Sequence, residues 1–143
     1  MDTSLNGRVA LITGGSKGLG LAMAKAYYLA GAKVAILARD THALSQAEVE
    51  IQALSVPDDA KANCAIASFV CDVTDPQAII ATHKAIVEKL GTVDILVNNA
   101  GQSAAKPFTK ITDDEWQADL DLKLMAVVRL TRLVWPNMAE QKW

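Results

Sequence analysis

Apolar residues along the chain fall into short unbroken runs separated by longer amphipathic stretches. Val9 to Thr13 is one such run, and it ends at a glycine turn. A short run that is apolar at every position predicts a central parallel strand, covered by helices on both faces. Lys33 to Ala38 and Ala65 to Val70 read the same way. Ile95 to Val97 begins a fourth strand, which ends in Asn98-Asn99-Ala100-Gly101.

Helical patterns fill the intervals. Leu19 to Ala30 is rich in Ala, Leu, Met and Lys, and Gly31 supplies its stop. Thr41 to about Leu54 places Leu44, Ala47, Ile51 and Leu54 on one face. Ser55 to Asn63, holding Pro57-Asp58-Asp59, predicts a polar loop. Asp75-Pro76 opens the next helix as N-cap and first helical residue. It runs to about Leu90 and stops at Gly91, with Ile79, Ile80, His83, Ile86, Val87 and Leu90 as its expected buried stripe. After a loop through Pro107, Thr112 and Glu115 form a capping-box pattern. A long helix to about Gln141 follows, expected to be interrupted or kinked near Pro136.

Strands alternating with helices imply parallel pairing and right-handed crossovers. The expected architecture is a doubly wound α/β fold, cut off after four βα units, with strand order 3-2-1-4. Ligands of such sheets bind at the C-terminal strand ends, where the order reverses. The glycine turn and Asn98 to Gly101, far apart in sequence, both fall there.

Composition narrows this picture only slightly. The 143 residues suit one domain, and 51% hydrophobic residues can fill its core. The net charge is −2 with both signs interspersed, which gives no nucleic-acid surface. Cys64 and Cys71 lack metal-ligand spacing, so no metal is expected, and both read as reduced, packed thiols of a cytoplasmic protein. Met1-Asp2-Thr3-Ser4-Leu5-Asn6 lacks the basic start and apolar core of a signal peptide. No apolar run reaches membrane-spanning length, so no membrane partner is expected.

The chemistry begins at the glycine turn. Gly14, Gly18 and Gly20 let backbone pass close to something large, at the start of a helix whose free N–H groups favour an anion. The spacing G-x-x-x-G-x-G differs from the dinucleotide pattern G-x-G-x-x-G. It is not a P-loop, because Gly18 follows Lys17. A free ribose diol calls for a carboxylate after the second strand. Here the first polar side chain is Arg39, in Leu37-Ala38-Arg39-Asp40. Arg39 and Lys17 together suit a ribose 2′-phosphate, which favours NADP(H) over NAD(H). Asp40 could take the diol, yet it also suits a helix cap. Asp72 is placed either to accept from an adenine amino group or to shape a turn.

Thr13-Gly14-Gly15-Ser16-Lys17-Gly18-Leu19-Gly20, Asp72-Val73, Asn98-Asn99-Ala100-Gly101, and Trp116 followed by a long helix resemble the short-chain dehydrogenase/reductase family, from about Asn6 onward. That resemblance implies a Rossmann-type fold and hydride transfer between a nicotinamide and a carbonyl or alcohol substrate. It implies that Gly14, Ser16, Lys17, Gly18, Leu19, Gly20, Arg39, Asp72, Val73, Asn99, Ala100 and Gly101 line the cofactor.

Two departures qualify it. The family's helical Asn falls at Lys123, in a stripe with Trp116, Leu120, Val127, Leu130 and Val134. A lysine there must snorkel, pair or lose its proton; both that and a catalytic place beside the substrate or nicotinamide stay open. The family's Tyr-x-x-x-Lys is missing, since Tyr27 and Tyr28 are followed four residues later by Gly31 and Ala32. Ser103 lies near the expected crevice without an evident base, and Gln102 to Pro107 is the segment expected to line the substrate pocket. The chain thus reads as the cofactor-binding half of a longer protein. Its open sheet edge predicts low stability alone, or a homo-oligomer formed through the long C-terminal helix. An NADP(H)-dependent oxidoreductase leads. A non-catalytic NADP(H)-binding or interaction protein is the alternative, and a methyltransferase, which has no use for Lys17 with Arg39, ranks last.

Overall fold

A computed structural model describes residues 4–143. The start of the stretch read for a leader, Met1 to Thr3, lies outside the described residues. In chain order the elements are β1 (Val9–Thr13), α1 (Gly18–Leu29), β2 (Lys33–Ala38), α2 (Thr41–Gln52), α3 (Asp58–Lys61), β3 (Ala65–Val70), α4 (Pro76–Leu90) and β4 (Ile95–Val97). A 3-10 turn (Phe108–Lys110), α5 (Asp113–Leu120), a π turn (Asp121–Met125) and α6 (Ala126–Gln141) complete the chain.

The four strands form one parallel sheet in the order β3-β2-β1-β4. Every residue of β1 is buried, as its unbroken apolar run requires. Successive side chains serve opposite faces. Val9, Leu11, Ala35 and Leu37 pack with Ile79, Ile86, Leu130 and Val134 of α4 and α6. Ile12, Val34 and Ile36 pack with Ala24, Leu44, Ala47 and Ile51 of α1 and α2. The sheet is therefore covered on both sides, with two helices to each face.

β4 is short, yet it is anchored before it starts. Asp94 accepts from the Val9 N–H at 2.8 Å and pairs with Arg8 at 3.3 Å, while its own N–H donates to the Val9 carbonyl. That exchange sets the β1–β4 register, in which Leu11 lies opposite Leu96.

Four expectations need correction. The stretch Ser55 to Asn63 is not all loop, because Asp58–Lys61 forms one helical turn. Its acids come first and its lysine last, matching the helix dipole, and Ala60 is buried beneath it. On α4, Thr82 is buried where Ile80 was expected, and Ile80 is 51% exposed. The last helix is not interrupted at Pro136, which lies inside α6. The irregularity is the π turn at Asp121–Met125, which adds a residue to one turn and shifts the helical phase. That shift undoes the stripe around Lys123: Leu130 and Val134 are buried, while Trp116 and Leu120 are 42% and 46% exposed.

Candidate functional site

The site forms where β1, β2, β3 and β4 end. Thr13, the last residue of β1, is 2% exposed, and its hydroxyl is fully used. It accepts the backbone N–H groups of Asn99 at 3.0 Å and Ala100 at 2.9 Å, and donates to the Val97 carbonyl at 3.4 Å. The Asn99 side-chain amide donates in return to the Thr13 and Gly14 carbonyls, at 3.0 and 3.2 Å. Two loops separated by more than eighty residues are thereby fastened into one floor. The Asn99 amide holds the glycine turn in place.

The turn itself is built to be approached closely. Gly14 and Gly18 have φ of +64° and +56°, which suits glycine. A Cβ on Gly20 would overlap the Gly14 carbonyl oxygen and press on the Asn99 amide. Helix α1 therefore starts against the strand end. Its N-cap residue, Lys17, is extended and supplies no capping side chain, and its first turn holds no acid. The first intrahelical bond to the cap is Leu21 N–H to the Lys17 carbonyl, so the N–H groups before it are left for something outside the helix. Ser16 is half-buried, whereas Lys17, Gly18 and Leu19 are exposed.

Across the crevice, Arg39 is exposed at the end of β2. Asp40 beside it caps α2, accepting the N–H groups of His42 and Ala43 at 2.9 and 3.1 Å. Those backbone bonds, Ala43 foremost, hold its carboxyl below the usual carboxylate range, with a smaller push from Lys17. At the end of β3, the Asp72 carboxylate accepts the Thr74 N–H and hydroxyl at 2.9 and 2.7 Å. These two bonds, and behind them the nearby Arg39 charge, lower its pKa. Val73 and Cys71 turn into the core. Ala100 is half-buried and Gly101 exposed at the mouth of the crevice.

Residues on the substrate side are less gathered. Ser103 and all of Gln102 to Pro107 are exposed. Lys106 pairs with Glu115, and Phe108 meets Trp116 edge to face at 6.4 Å, so the loop is tied to the start of α5. The Thr112–Glu115 capping box is complete there. Lys123 sits in the π turn, half exposed, with its ammonium 2.8 Å from the Asp119 carboxylate. Tyr27 and Tyr28 lie in α1, and burial, then the neighbouring Cys64 thiol, raises the Tyr28 pKa. That is the opposite of an activated acid–base tyrosine. Among the described residues, no cluster of His, Cys, Asp and Glu could hold a metal ion, and no helix is long and apolar enough to cross a membrane.

The arrangement offers a glycine-lined approach to a helix start without a side-chain cap, with Lys17 at the cap position and Arg39 at the end of the neighbouring strand. Sequence reasoning placed those parts but overlooked Thr13 as their fastener. A buried threonine ending a strand carries no signal of its own until the partner loop is known.

Comparison with known proteins places the chain in a family. The family described as short chain dehydrogenase matches residues 8–143. The 3-oxoacyl-[acyl-carrier-protein] reductase FabG of Salmonella typhimurium is 34% identical over 139 residues, which are 97% of this chain and 52% of that protein. The 3-dehydrosphinganine reductase of Danio rerio is 33% identical over 138 residues, covering 96% of this chain and 41% of that one. L-sorbose reductase from Gluconobacter frateurii, solved with NADPH and L-sorbose, superposes with a TM-score of 0.86 at 33% identity, over 99% of this chain and 51% of that one. An NADPH-bound short chain oxidoreductase from Pseudomonas aeruginosa PAO1, described as containing an atypical catalytic center, gives a TM-score of 0.83 at 36% identity, over 94% and 50%. The chain thus spans about half the length of the relatives it matches.

Proposed function

The chain belongs to the short-chain dehydrogenase family, and on that premise we propose that it is the NADP(H)-holding part of an oxidoreductase acting on a small carbonyl or alcohol substrate. One observation carries the choice of cofactor. Lys17 is the N-cap residue of α1 and Arg39 follows β2, whose Leu37 carbonyl accepts the Gly15 N–H of the glycine turn, while the adjacent Asp40 caps α2. A ribose diol would have only the second oxygen of a carboxylate that already caps α2 through Oδ1, whereas a 2′-phosphate would have two cations. The relatives solved with NADPH support the same choice.

In this reading the first-turn N–H groups of α1, with Ser16 and Leu19 beside them, hold the pyrophosphate. Gly14, Gly18 and Gly20 give it room. Asp72 takes the adenine amino group, and Ala100 and Gly101 border the nicotinamide side. The bound nicotinamide supplies hydride to a carbonyl carbon or removes it from an alcohol carbon. Lys123, paired with Asp119, holds the π turn beside that region rather than exchanging protons. The protein works in the cytoplasm. The exposed Leu124 of the π turn and Trp135 of α6, 52% and 65% accessible, support self-association through the long C-terminal helix.

Calorimetric titration with NADPH and NADH tests the cofactor. NADPH should bind at least about tenfold tighter, the worth of one charge-assisted hydrogen bond, and Arg39→Ala should erase most of that preference. Equal affinities in the unaltered chain would overturn it. A second reading, a non-catalytic NADP(H)-binding protein, is favoured by Lys123, which takes the place of the family's helical Asn and is paired with Asp119. NADPH oxidation with a panel of ketones and aldehydes separates the two, since only the first reading predicts turnover by the whole protein.

A further inference from the structure

The turn after β3 is held mostly by itself. Cys71 N–H donates to the Ala38 carbonyl at 2.9 Å, Asp75 N–H to the Asp72 carbonyl at 3.0 Å, and Thr74 to the Asp72 carboxylate. Beyond the bond to Ala38 of β2, a second comes from another element. Arg129 of α6, part-buried and 55 residues further on, donates from Nη1 to the Thr74 carbonyl at 3.3 Å. Val73, between the two bonded residues, packs into the same apolar cluster as Ala126 and Leu130. Helix α6 therefore holds this turn by a guanidinium on its carbonyl, while Val73 lies in the apolar cluster to which α6 also contributes.

The grip bears on Asp72. Thr74 occupies only Oδ1 of that carboxylate, and among the described residues no hydrogen bond reaches Oδ2. Oδ2 is the atom free to receive a ligand's donor. Its aim depends on Thr74, and the position of Thr74 depends on Arg129. We infer that Arg129 is a positioning residue for the adenine end of the cofactor, acting through Thr74 and Asp72 without touching the ligand. This rests on the NADP(H) reading above. A guanidinium bonded to a carbonyl is charge-assisted, and its planar fork loses little freedom in making the contact.

The test uses adenosine 2′,5′-bisphosphate as probe, titrated calorimetrically into the full chain at a temperature where each variant's melting curve shows it folded. Arg129→Met keeps an apolar stem and removes the donor. It should weaken the probe about tenfold, the worth of one charge-assisted hydrogen bond. Arg129→Lys restores a donor and should recover most of that loss. In an Asp72→Ala background, Arg129→Met should have little further effect, because the two residues act in series. A merely structural role would lower affinity by the same factor with or without Asp72. That equal factor, or unaltered affinity in Arg129→Met, would overturn the inference. No binding of the probe by the unaltered chain would instead overturn the NADP(H) reading, and this inference with it.

Discussion

Thr13 and Asn99 hold each other across the sheet's switch point. The threonine hydroxyl takes the asparagine's backbone N–H at 3.0 Å, and the asparagine's amide returns to the threonine's carbonyl at 3.0 Å. Each residue ends one strand's loop, so neither loop can shift without the other. Thr13→Val preserves the shape and removes the hydroxyl, stranding the Ala100 N–H, while the Asn99 N–H keeps its bond to the Val97 carbonyl at 3.1 Å. Leaving that donor unsatisfied costs about 1–3 kcal/mol. Urea denaturation should show that loss; a change below about 1 kcal/mol would mean that water replaces the hydroxyl freely.

Gly20 and Gly18 make a contrasting pair. A methyl on Gly20 meets the Gly14 carbonyl and the Asn99 amide, whereas one on Gly18 meets nothing within 4 Å. Gly20→Ala should cost about 1–3 kcal/mol by overpacking and should weaken NADPH, because the glycine turn is displaced. Gly18→Ala bears only the strain of its positive φ, about 1–2 kcal/mol. Denaturation and calorimetry on both variants check the order; equal affinities for NADPH would refute it.

Asp40 distinguishes a cap from a ribose ligand. If it caps α2 and nothing more, Asp40→Ala lowers the melting temperature and leaves the ratio of NADPH to NADH affinity unaltered. A ratio that rises, through selective loss of NADH, would return Asp40 to the ribose.

His83 gives the chain a pH response. Its Nε2 is buried without a partner among the described residues, and burial holds its pKa below the ordinary value. The unfolded imidazole takes up its proton near pH 6.5, about the ordinary value, before the folded one does. The stability linked to His83 is therefore complete above that pH and is lost as pH falls toward the folded pKa. Urea midpoints measured from about pH 7.5 down to 5.5 should fall more steeply for the unaltered chain than for His83→Gln. Parallel curves would show that His83 is hydrated.

Much of the fold was legible because its strands are buried on both faces. β1 up to Thr13 and the interior of β2 are apolar and buried, β3 holds one polar residue, Ser68, and the bounds of all three follow the apolar runs. Caps were equally plain: Asp75, Pro76, Gly91 and the Thr112–Glu115 box all serve as their residue types predict. What escaped depends on tertiary partners. The π turn at Asp121–Met125 leaves no mark in Asp-Leu-Lys-Leu-Met, since an added residue per turn is a backbone choice made against packing. Thr82 replaces Ile80 in the core because α4 meets both the sheet and α6, and the stripe's exact rotation follows from that contact. The candidate site was legible where charge or glycine was required, at Lys17, Arg39, Gly14 and Gly20. It was obscure where ordinary polar residues act as fasteners, at Thr13, Asp94 and Arg129.

Helix α1 begins without a capping side chain and without an acid in its first turn. A folded protein of this kind carries an unfinished hydrogen-bond ledger at one helix end, and whatever anion completes it becomes a component of the fold. Folding and ligand concentration are then two faces of one equilibrium, with stability rising as the logarithm of free ligand above its dissociation constant. The melting temperature of this chain is accordingly a readout of the anion it was made to hold.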